Sequence, residues 1–317
     1  MARRIGSTGR LDDAARAGWL YYVAGKTQDE IAAAMSISRQ SAQRLVSLAI
    51  AEKLIKVRLD HPIAECIELA QALRDKYDLR QVEVTPSAPG SDGGHAGIAE
   101  AGAAELERWL KQTDPLIIAI GTGRTLRAAV DQLSPMECPQ HRIVSLTGNI
   151  SPDGSAAYYN VIFSMADAIK ARHFPMPLPV IVSSKAERDL LHQQALVKPT
   201  LALGAKADVT FVGVGEVDPQ APLLLDGFLN PDEVKSLMAA GVIGEICGWM
   251  FDENGALVDN PVNERIASLP LPSIETSCVI GLARGRRKHV AIRAALRGRH
   301  INSLITDEDA ARFLLQD

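Results

Sequence analysis

Apolar positions in the first sixty residues recur at helical spacing. Leu11, Ala14, Ala15, Gly18, Tyr21 and Tyr22 fall on one face of a helix over residues 11–24, and Gly25 closes it. A second helix opens at Thr27. There Thr27 and Glu30 form a T-x-x-E box in which a hydroxyl and a carboxylate each satisfy a free backbone N–H. That helix turns Ile31, Ala32 and Met35 inward, Ser36 breaks it, and Ile37 plugs the gap to the next one. Ser38 is a good N-cap for a third helix whose inner face is Ala42, Leu45, Val46 and Ala49. Two short helices joined by a three-residue turn predict a helix-turn-helix over residues 1–60. Lys56-Val57-Arg58-Leu59 alternates as a strand, which makes the expected domain winged-helix-like.

Residues 61–78 read as a linking helix that follows Pro62. Ile63, Cys66, Ala70, Leu73 and Tyr77 are spaced by three and four residues in alternation. Such a row is either a two-heptad coiled-coil seam or the inner face of a helix packed on its own domain. Beyond it the pattern changes to strand, loop and helix in repetition. Apolar runs at 116–120, 143–146, 180–183, 209–214, 277–282 and 301–305 predict strands; 98–112, 125–133, 156–172, 185–206, 231–240, 287–298 and 307–315 predict helices. The runs lack polar alternation, so the strands should be covered on both faces, as in a parallel sheet between helical layers. Residues 61–317 are therefore expected to form a Rossmann-like, doubly wound α/β domain. Asn254-Gly255 predicts the turn of a β-hairpin over 246–258, and the stretch 86–94 predicts a flexible loop.

Composition narrows the picture. A chain of 317 residues, 47% hydrophobic and 23% charged, has the makings of folded cores rather than disorder. No apolar run approaches the roughly 18 residues of a membrane span, and the basic start MARRIGSTGR lacks a signal peptide's apolar stretch. Cys66, Cys138, Cys247 and Cys278 are widely spaced with no CxxC pair, which favours a reduced, cytoplasmic setting over disulfides or a zinc ribbon. The net charge of −4 hides an asymmetry: residues 1–60 hold ten Lys/Arg against six Asp/Glu, the remainder 24 against 32. A basic front on an acidic body suggests that only the front meets a polyanion.

The outward positions of the third helix suit that polyanion. Arg39 and Arg44 can bond guanine bidentately, Gln40 and Gln43 can read adenine, and Ser38 and Ser41 can reach phosphate, so double-stranded DNA is the expected partner. In the body, ligands of an open parallel sheet bind beyond the carboxyl ends of the strands. The loop there after 116–120 is Gly121-Thr122-Gly123-Arg124-Thr125, whose glycines and hydroxyls can hold an anion or sugar oxygens. It is neither a complete GxGxxG nor a Walker loop. Thr147-Gly148-Asn149, Gly215-Glu216 and the cationic run Arg284-Gly285-Arg286-Arg287-Lys288 follow other strands, and the run could neutralise a phosphate. Catalytic signatures are missing: no GxSxG, no HExxH, and seven scattered histidines. Asp226, Glu245, Asp252 and Asp259 could be general bases, and Lys185 or Lys288 could form a Schiff base, but no spacing singles them out. No cofactor or metal is expected.

Taken together, TQDEIAAAMSISRQSAQRLV, IAIGTGRTLRAAV, VSLTGN, Tyr159-Asn160, ADVTFVGVGEV, GVIGEICGWMFDENG and AALRGRHINSLITDEDAARFLL resemble the SorC family of bacterial transcriptional regulators. The resemblance spans nearly the whole chain. It implies a helix-turn-helix joined to a sugar-binding domain similar to glucosamine-6-phosphate deaminase and ribose-5-phosphate isomerase. It further implies a cytoplasmic regulator of a carbohydrate or polyol operon, a homodimer or homotetramer on a palindromic operator, whose DNA affinity answers to a sugar, sugar phosphate or polyol. Carried over residue by residue, the effector site would comprise Gly121, Thr122, Gly123, Arg124, Thr125, Asn149, Gly215 and Lys288, with Asn160 and Asp259 as weaker members. Ser36 stands where such turns usually have glycine, and Ala42 where a branched residue is usual. Arg284 stands where the family often has a further glycine, which would make the anion pocket bulkier. The rival reading is a sugar-phosphate isomerase or deaminase with a helical extension, since a fold does not determine a function.

Overall fold

The computed structural model describes residues 2–52, 54–55, 63–87, 96–151, 153–156 and 159–316. The wing expected at 56–59, Pro62 and most of the loop expected at 86–94 lie outside the described residues. The chain divides into two compact units, Met1–His61 and Pro62–Asp317.

The first unit contains α1 (Ala2–Tyr22), α2 (Gln28–Met35) and α3 (Arg39–Ala51). Gly25, at φ +66°, reverses the chain after α1. Thr27 and Glu30 complete the reciprocal cap on α2: Glu30 N–H donates to the Thr27 hydroxyl at 3.3 Å, and Thr27 N–H to the Glu30 carboxylate at 2.8 Å. Ser36 turns the chain in the left-handed region at φ +56°, as the glycine usual there would, and Ser38 caps α3 by accepting from Ser41 N–H. Ala17, Ile31, Ala32, Ala42 and Val46 form the core, flanked by Leu20, Met35, Ile37 and Leu45. The buried face of α1 differs from the expected one. Ala14, Ala17 and Gly18 are buried, whereas Tyr21 and Tyr22 are exposed. The cause is close approach: a Cβ on Gly18 would come within 2.8 Å of the Ala49 methyl. Crossing α3 at that point rotates both tyrosines outward.

The second unit starts with α4 (Ala64–Tyr77). Its heptad-spaced row is not a free seam. Cys66 and Leu73 are buried in the unit's own core, with Ile63, Ala70 and Tyr77 packed against it. The Tyr77 hydroxyl donates to the Leu314 carbonyl at 2.9 Å. There follow β1 (Gln81–Thr85), α5 (Ala96–Leu110), β2 (Ile117–Ile120), α6 (Arg124–Val130), β3 (Arg142–Ile150), α7 (Val161–Ile169), β4 (Arg172–Pro179), α8 (Lys185–His192), α9 (Lys198–Gly204) and β5 (Val209–Gly213). Next come β6 (Gly215–Glu216), α10 (Pro222–Leu225), α11 (Pro231–Ala239), β7 (Gly244–Ile246), β8 (Trp249–Phe251) and α12 (Pro261–Glu264). The chain finishes with β9 (Cys278–Leu282), α13 (His289–Arg297), β10 (Ser303–Asp307) and α14 (Glu308–Leu315). Seven strands make a parallel sheet in the order β1-β10-β9-β5-β2-β3-β4, so the unit is mixed α/β with a mostly parallel sheet. From β2 the chain moves outward to β3 and β4, then returns to β5 on the other side of β2. The strand order thus reverses between β2 and β5, and a crevice opens beyond their carboxyl ends.

Several expected boundaries move. The strand expected at 180–183 is Arg172–Pro179 instead, and α7 stops at Ile169 rather than residue 172. Pro175, Pro177 and Pro179 disguise β4. Prolines two apart lack N–H groups on one side only, which an edge strand tolerates when that side faces outward. The helix expected over 185–206 is two, broken at Gln193–Val197, with Pro199 in the first turn of the second. Strand β1, absent from the expectation, completes the sheet by pairing with β10. The antiparallel turn between β7 and β8 lies at Cys247-Gly248, both at positive φ; Asn254-Gly255 makes a second turn that brings Leu257 to Phe251. All four cysteines are free and buried. Among the described residues no helix is long and apolar enough to cross a membrane.

Two measurements check this architecture. Leu73, fully buried in α4, should cost about 2–5 kcal/mol when truncated to alanine, read by chemical denaturation; a cost below ~1 kcal/mol would mean the helix is not core. Backbone hydrogen bonding from Thr27, then Lys26, holds the Glu30 carboxyl down at about 2, below its ordinary 4.5. Because the folded value is depressed, its contribution is full above pH 4.5 and fades as pH falls toward 2. Glu30→Ala should therefore melt below the parent at pH 7, with the gap narrowing across that window. A gap independent of pH would refute the cap's charge.

Candidate functional site

The crevice at the strand reversal holds a cavity of about 710 Å³. Strand β2 delivers Thr122 and Gly123 to its wall, and α6 begins there with Arg124 and Thr125. Gly123 sits at φ +124°, a conformation that side chains resist, so the abrupt entry into α6 requires glycine. Thr147 and Gly148 of β3, the stretch from Gly213 at the end of β5 through Glu216 of β6, the β7–β8 turn and Lys288 also line the cavity. So do Ser151, Asp153, Ser155, Ala156 and Tyr159, together with Leu225 at the end of α10 and Asp226, Gly227 and Phe228 after it.

Hydrogen bonds tie the mouth to the first loop. The Thr122 hydroxyl donates to the Tyr159 carbonyl at 2.8 Å, and Arg124 Nε donates to the Tyr159 hydroxyl at the same distance. Arg124 also lies 4.0 Å from Asp226, and its guanidinium pKa is raised, mainly by the Tyr159 bond. Lys288 Nζ donates to the Val214 carbonyl at 2.8 Å and stands 3.9 Å from Glu216 Oε2. Burial pushes the Lys288 pKa down, against the pull of Glu216 and Glu245. Glu245 accepts from Gly248 N–H at 2.7 Å, yet desolvation raises its pKa. Glu216 is only 8% exposed, and its Oε2 has no hydrogen-bond partner. Cys247, buried beside Glu245, has its thiol pKa pushed up by burial, which suits packing rather than nucleophilic attack.

Of the residues expected at an effector site, Thr122, Gly123, Arg124, Thr125, Gly215 and Lys288 line this cavity. Gly121, Asn149, Asn160 and Asp259 are not among its lining residues. Gly121 is in the layer beneath: its N–H donates to the Phe211 carbonyl, and a Cβ there would meet Cys247 Sγ at 3.1 Å. Asn149 has a buried, unpartnered Oδ1, and Asn160 precedes the first turn of α7. The cationic run does not converge as expected. Arg284 turns to Asp307 at 3.2 Å and adds no bulk to the cavity; Arg287 pairs with Asp218 at 2.7 Å and lies 3.4 Å from Glu216 Oε1; of the run's cations, Lys288 alone lines the cavity. Gly285 permits this divergence at φ +91°.

The acids sort similarly. Asp226 and Glu245 line the cavity; Asp252 instead accepts from Asn254 and Ala256 N–H groups in its own turn. Lys185 is exposed and pairs with Glu264. Asp153 lacked a distinguishing pattern, because it reaches the cavity from an irregular segment. A signal for Glu216 existed in its place directly after a glycine beyond a buried strand. Ring nitrogens of His141, His192 and His300 lie against backbone carbonyls. Among the described residues no group of three or more His, Cys, Asp or Glu is placed to hold a metal ion.

On the first unit, Arg39, Gln40, Gln43 and Arg44 are exposed on the opening turns of α3. Arg39 reaches Asp29 at 3.4 Å in a pair some 70% exposed, worth little against water and salt. Ser38 and Ser41 share a hydroxyl contact of 2.9 Å at the helix start.

Comparisons with known proteins agree over the chain's length. The family described as "Putative sugar-binding domain" matches residues 61–316. The chain is 33% identical over 302 residues to the erythritol catabolism regulatory protein EryD of Brucella abortus (strain 2308), covering 95% of this chain and 96% of that one. It is 32% identical over 311 residues to the transcriptional regulator LsrR of Escherichia coli (strain K12), covering 96% and 95%. Among solved structures, the full-length sorbitol operon regulator SorC from Klebsiella pneumoniae superposes with a TM-score of 0.71 at 26% identity, covering 96% of this chain and 99% of that one.

Gly215 tests the packing of the cavity. A Cβ there would fall 2.0 Å from Glu245 Oε1. Gly215→Ala should cost roughly 1–3 kcal/mol by overpacking, and Glu245→Ala on that background should recover part of the loss. Additive costs in the double-mutant cycle would show that the two groups do not touch.

Proposed function

The chain belongs to the SorC family of transcriptional regulators, and from that premise we propose how its two units divide the work. It is a sugar-modulated transcriptional regulator. Residues 1–60 are the helix-turn-helix head, and residues 61–317 are the effector-binding domain, of the isomerase- and deaminase-like kind. The reading rests above all on one observation: the cavity lies where the strand order reverses, the position at which open α/β sheets take ligands.

The head reads DNA with α3. Its N-cap Ser38 and the residues Arg39, Gln40, Ser41, Gln43 and Arg44 present two guanidiniums, two amides and two hydroxyls on the opening turns, the end that recognition helices direct at base edges. The partly buried Ser41 hydroxyl lies against Ser38 and serves phosphate better than bases. Two copies related by a two-fold axis would meet a palindromic operator, so the working form is a cytoplasmic homodimer or homotetramer.

The effector is a sugar, sugar phosphate or polyol. Thr122, Gly123, Arg124, Thr125, Gly215 and Lys288 contact it directly. Gly121 acts from beneath by letting the loop lie against Cys247. Asn149, with its unpartnered Oδ1, and the weaker members Asn160 and the solvent-exposed Asp259 do not line the cavity and can contribute only if the surrounding loops move onto the ligand. Binding changes DNA affinity only to the extent that the ligand prefers one arrangement of the protein to another, and the coupling is reciprocal.

Gel shifts on the DNA upstream of its operon, with and without ligand, separate the two roles. Arg39→Ala combined with Arg44→Ala should weaken DNA binding at least tenfold, since each base contact is worth about 1–3 kcal/mol, while ligand still raises the melting temperature. Thr122→Ala combined with Lys288→Ala should keep DNA affinity and lose the ligand response. Unchanged DNA affinity in the first variant would dismiss the head assignment, and a retained thermal shift in the second would dismiss the cavity.

A further inference from the structure

The effector class can be narrowed by the charge the cavity already holds. Asp153, Glu216, Asp226 and Glu245 line it, against Arg124 and Lys288. Both cations are engaged. Arg124 sits between the Tyr159 hydroxyl and Asp226, and Lys288 between the Val214 carbonyl and Glu216. Arg284 is turned onto Asp307, while Arg287 pairs with Asp218 and also lies 3.4 Å from Glu216 Oε1, so it offsets part of that carboxylate's charge without lining the cavity. A phosphate monoester entering here would bring negative charge to a lining with more carboxylates than cations, where reduced dielectric strengthens repulsion.

The second observation is independent of net charge. Glu216 Oε2 is buried without a hydrogen-bond partner, and a buried acceptor left unpaired is costly. A ligand hydroxyl can supply the missing donor, whereas a phosphate dianion placed at this point could not. Lys288 supplies the complementary donor 3.9 Å away, with N–H groups beyond the one directed at Val214. An acceptor and a donor so spaced match the neighbouring hydroxyls of a polyol, one giving and one taking a hydrogen bond.

Resting on the reading of this cavity as the effector site, we propose that the effector is an uncharged polyhydroxylated compound, a sugar or alditol without phosphate, and that Glu216 selects it by accepting a hydroxyl proton at Oε2 while Lys288 donates to an adjacent oxygen. Glu216 is then the specificity-determining residue, and Arg124 orders the mouth through Tyr159 rather than binding an anion.

Isothermal titration calorimetry of the full chain with matched pairs tests this: erythritol, sorbitol and ribose, each beside its terminal monophosphate. The expected result is binding of at least one uncharged member, at least tenfold tighter than its monophosphate, and a loss of tenfold or more in Glu216→Gln. The pairwise comparison uses the unaltered protein, so it stands even if the variant misfolds. A monophosphate that binds as tightly as its parent or more tightly, or a folded Glu216→Gln of unchanged affinity, overturns the proposal and leaves the effector cavity standing. If no member of any pair binds, or if binding survives the Thr122→Ala, Lys288→Ala double substitution, the cavity itself is dismissed and the proposal with it.

Discussion

Burying charge is expensive unless each charge finds a partner, and the cavity is arranged around that requirement. Lys288 is drawn out of water at the start of α13, held by the Val214 carbonyl, and faces Glu216 across the end of β5. Glu245 is drawn in from the adjoining hairpin and fastened by Gly248 N–H. Glycine at 215 is what lets that carboxylate come so close to the strand end. One lysine therefore gathers segments that are far apart in the chain: the strand ends, the β7–β8 turn and the loop before α13. Among the charged groups described at the cavity, the accounting stays open at Glu216 Oε2, which is buried without a hydrogen-bond partner.

The first unit obeys a different constraint. Its core is small, built from Ala17, Ile31, Ala32, Ala42 and Val46, so its helices must approach closely and end cleanly. Gly18 allows the approach of α1 to α3, and the Thr27–Glu30 cap fixes where α2 starts. With the inner face of α3 so occupied, Arg39, Gln40, Gln43 and Arg44 have nowhere to go but outward. The division of labour thus follows from packing: small residues inside force long polar ones onto the surface.

Much of this was legible before any coordinates. The capping box, the serine turn, the N-cap at Ser38 and the inner face of α3 are local events within a few residues, and they stand where periodicity and capping rules put them. The buried parallel strands β2, β5 and β9 were visible for a similar reason, because burial on both faces leaves an uninterrupted apolar run. The edges of the sheet were not. Strand β4 carries three prolines and β1 carries polar residues, since an edge strand has one unpaired side and weaker demands on its composition. Tyr21 and Tyr22 were misplaced because the rotation of α1 is set by its crossing with α3, not by its own pattern.

The cavity divides along the same line. Sequence alone determined which loops would carry it: Thr122 to Thr125, Gly215 and Lys288 each follow a strand or open a helix, and position in an α/β unit dictates where such residues emerge. Only the tertiary structure decided which way each side chain turns. Arg284 and Lys288 are near neighbours in one cationic run, yet the first faces Asp307 and the second Glu216, because the intervening Gly285 bends the backbone between them. Glu216, Glu245 and Asp226 are ordinary acids when read along the chain. They become one electrostatic environment only where the sheet reverses its order, since Coulomb interactions depend on distance through space and not on separation in sequence.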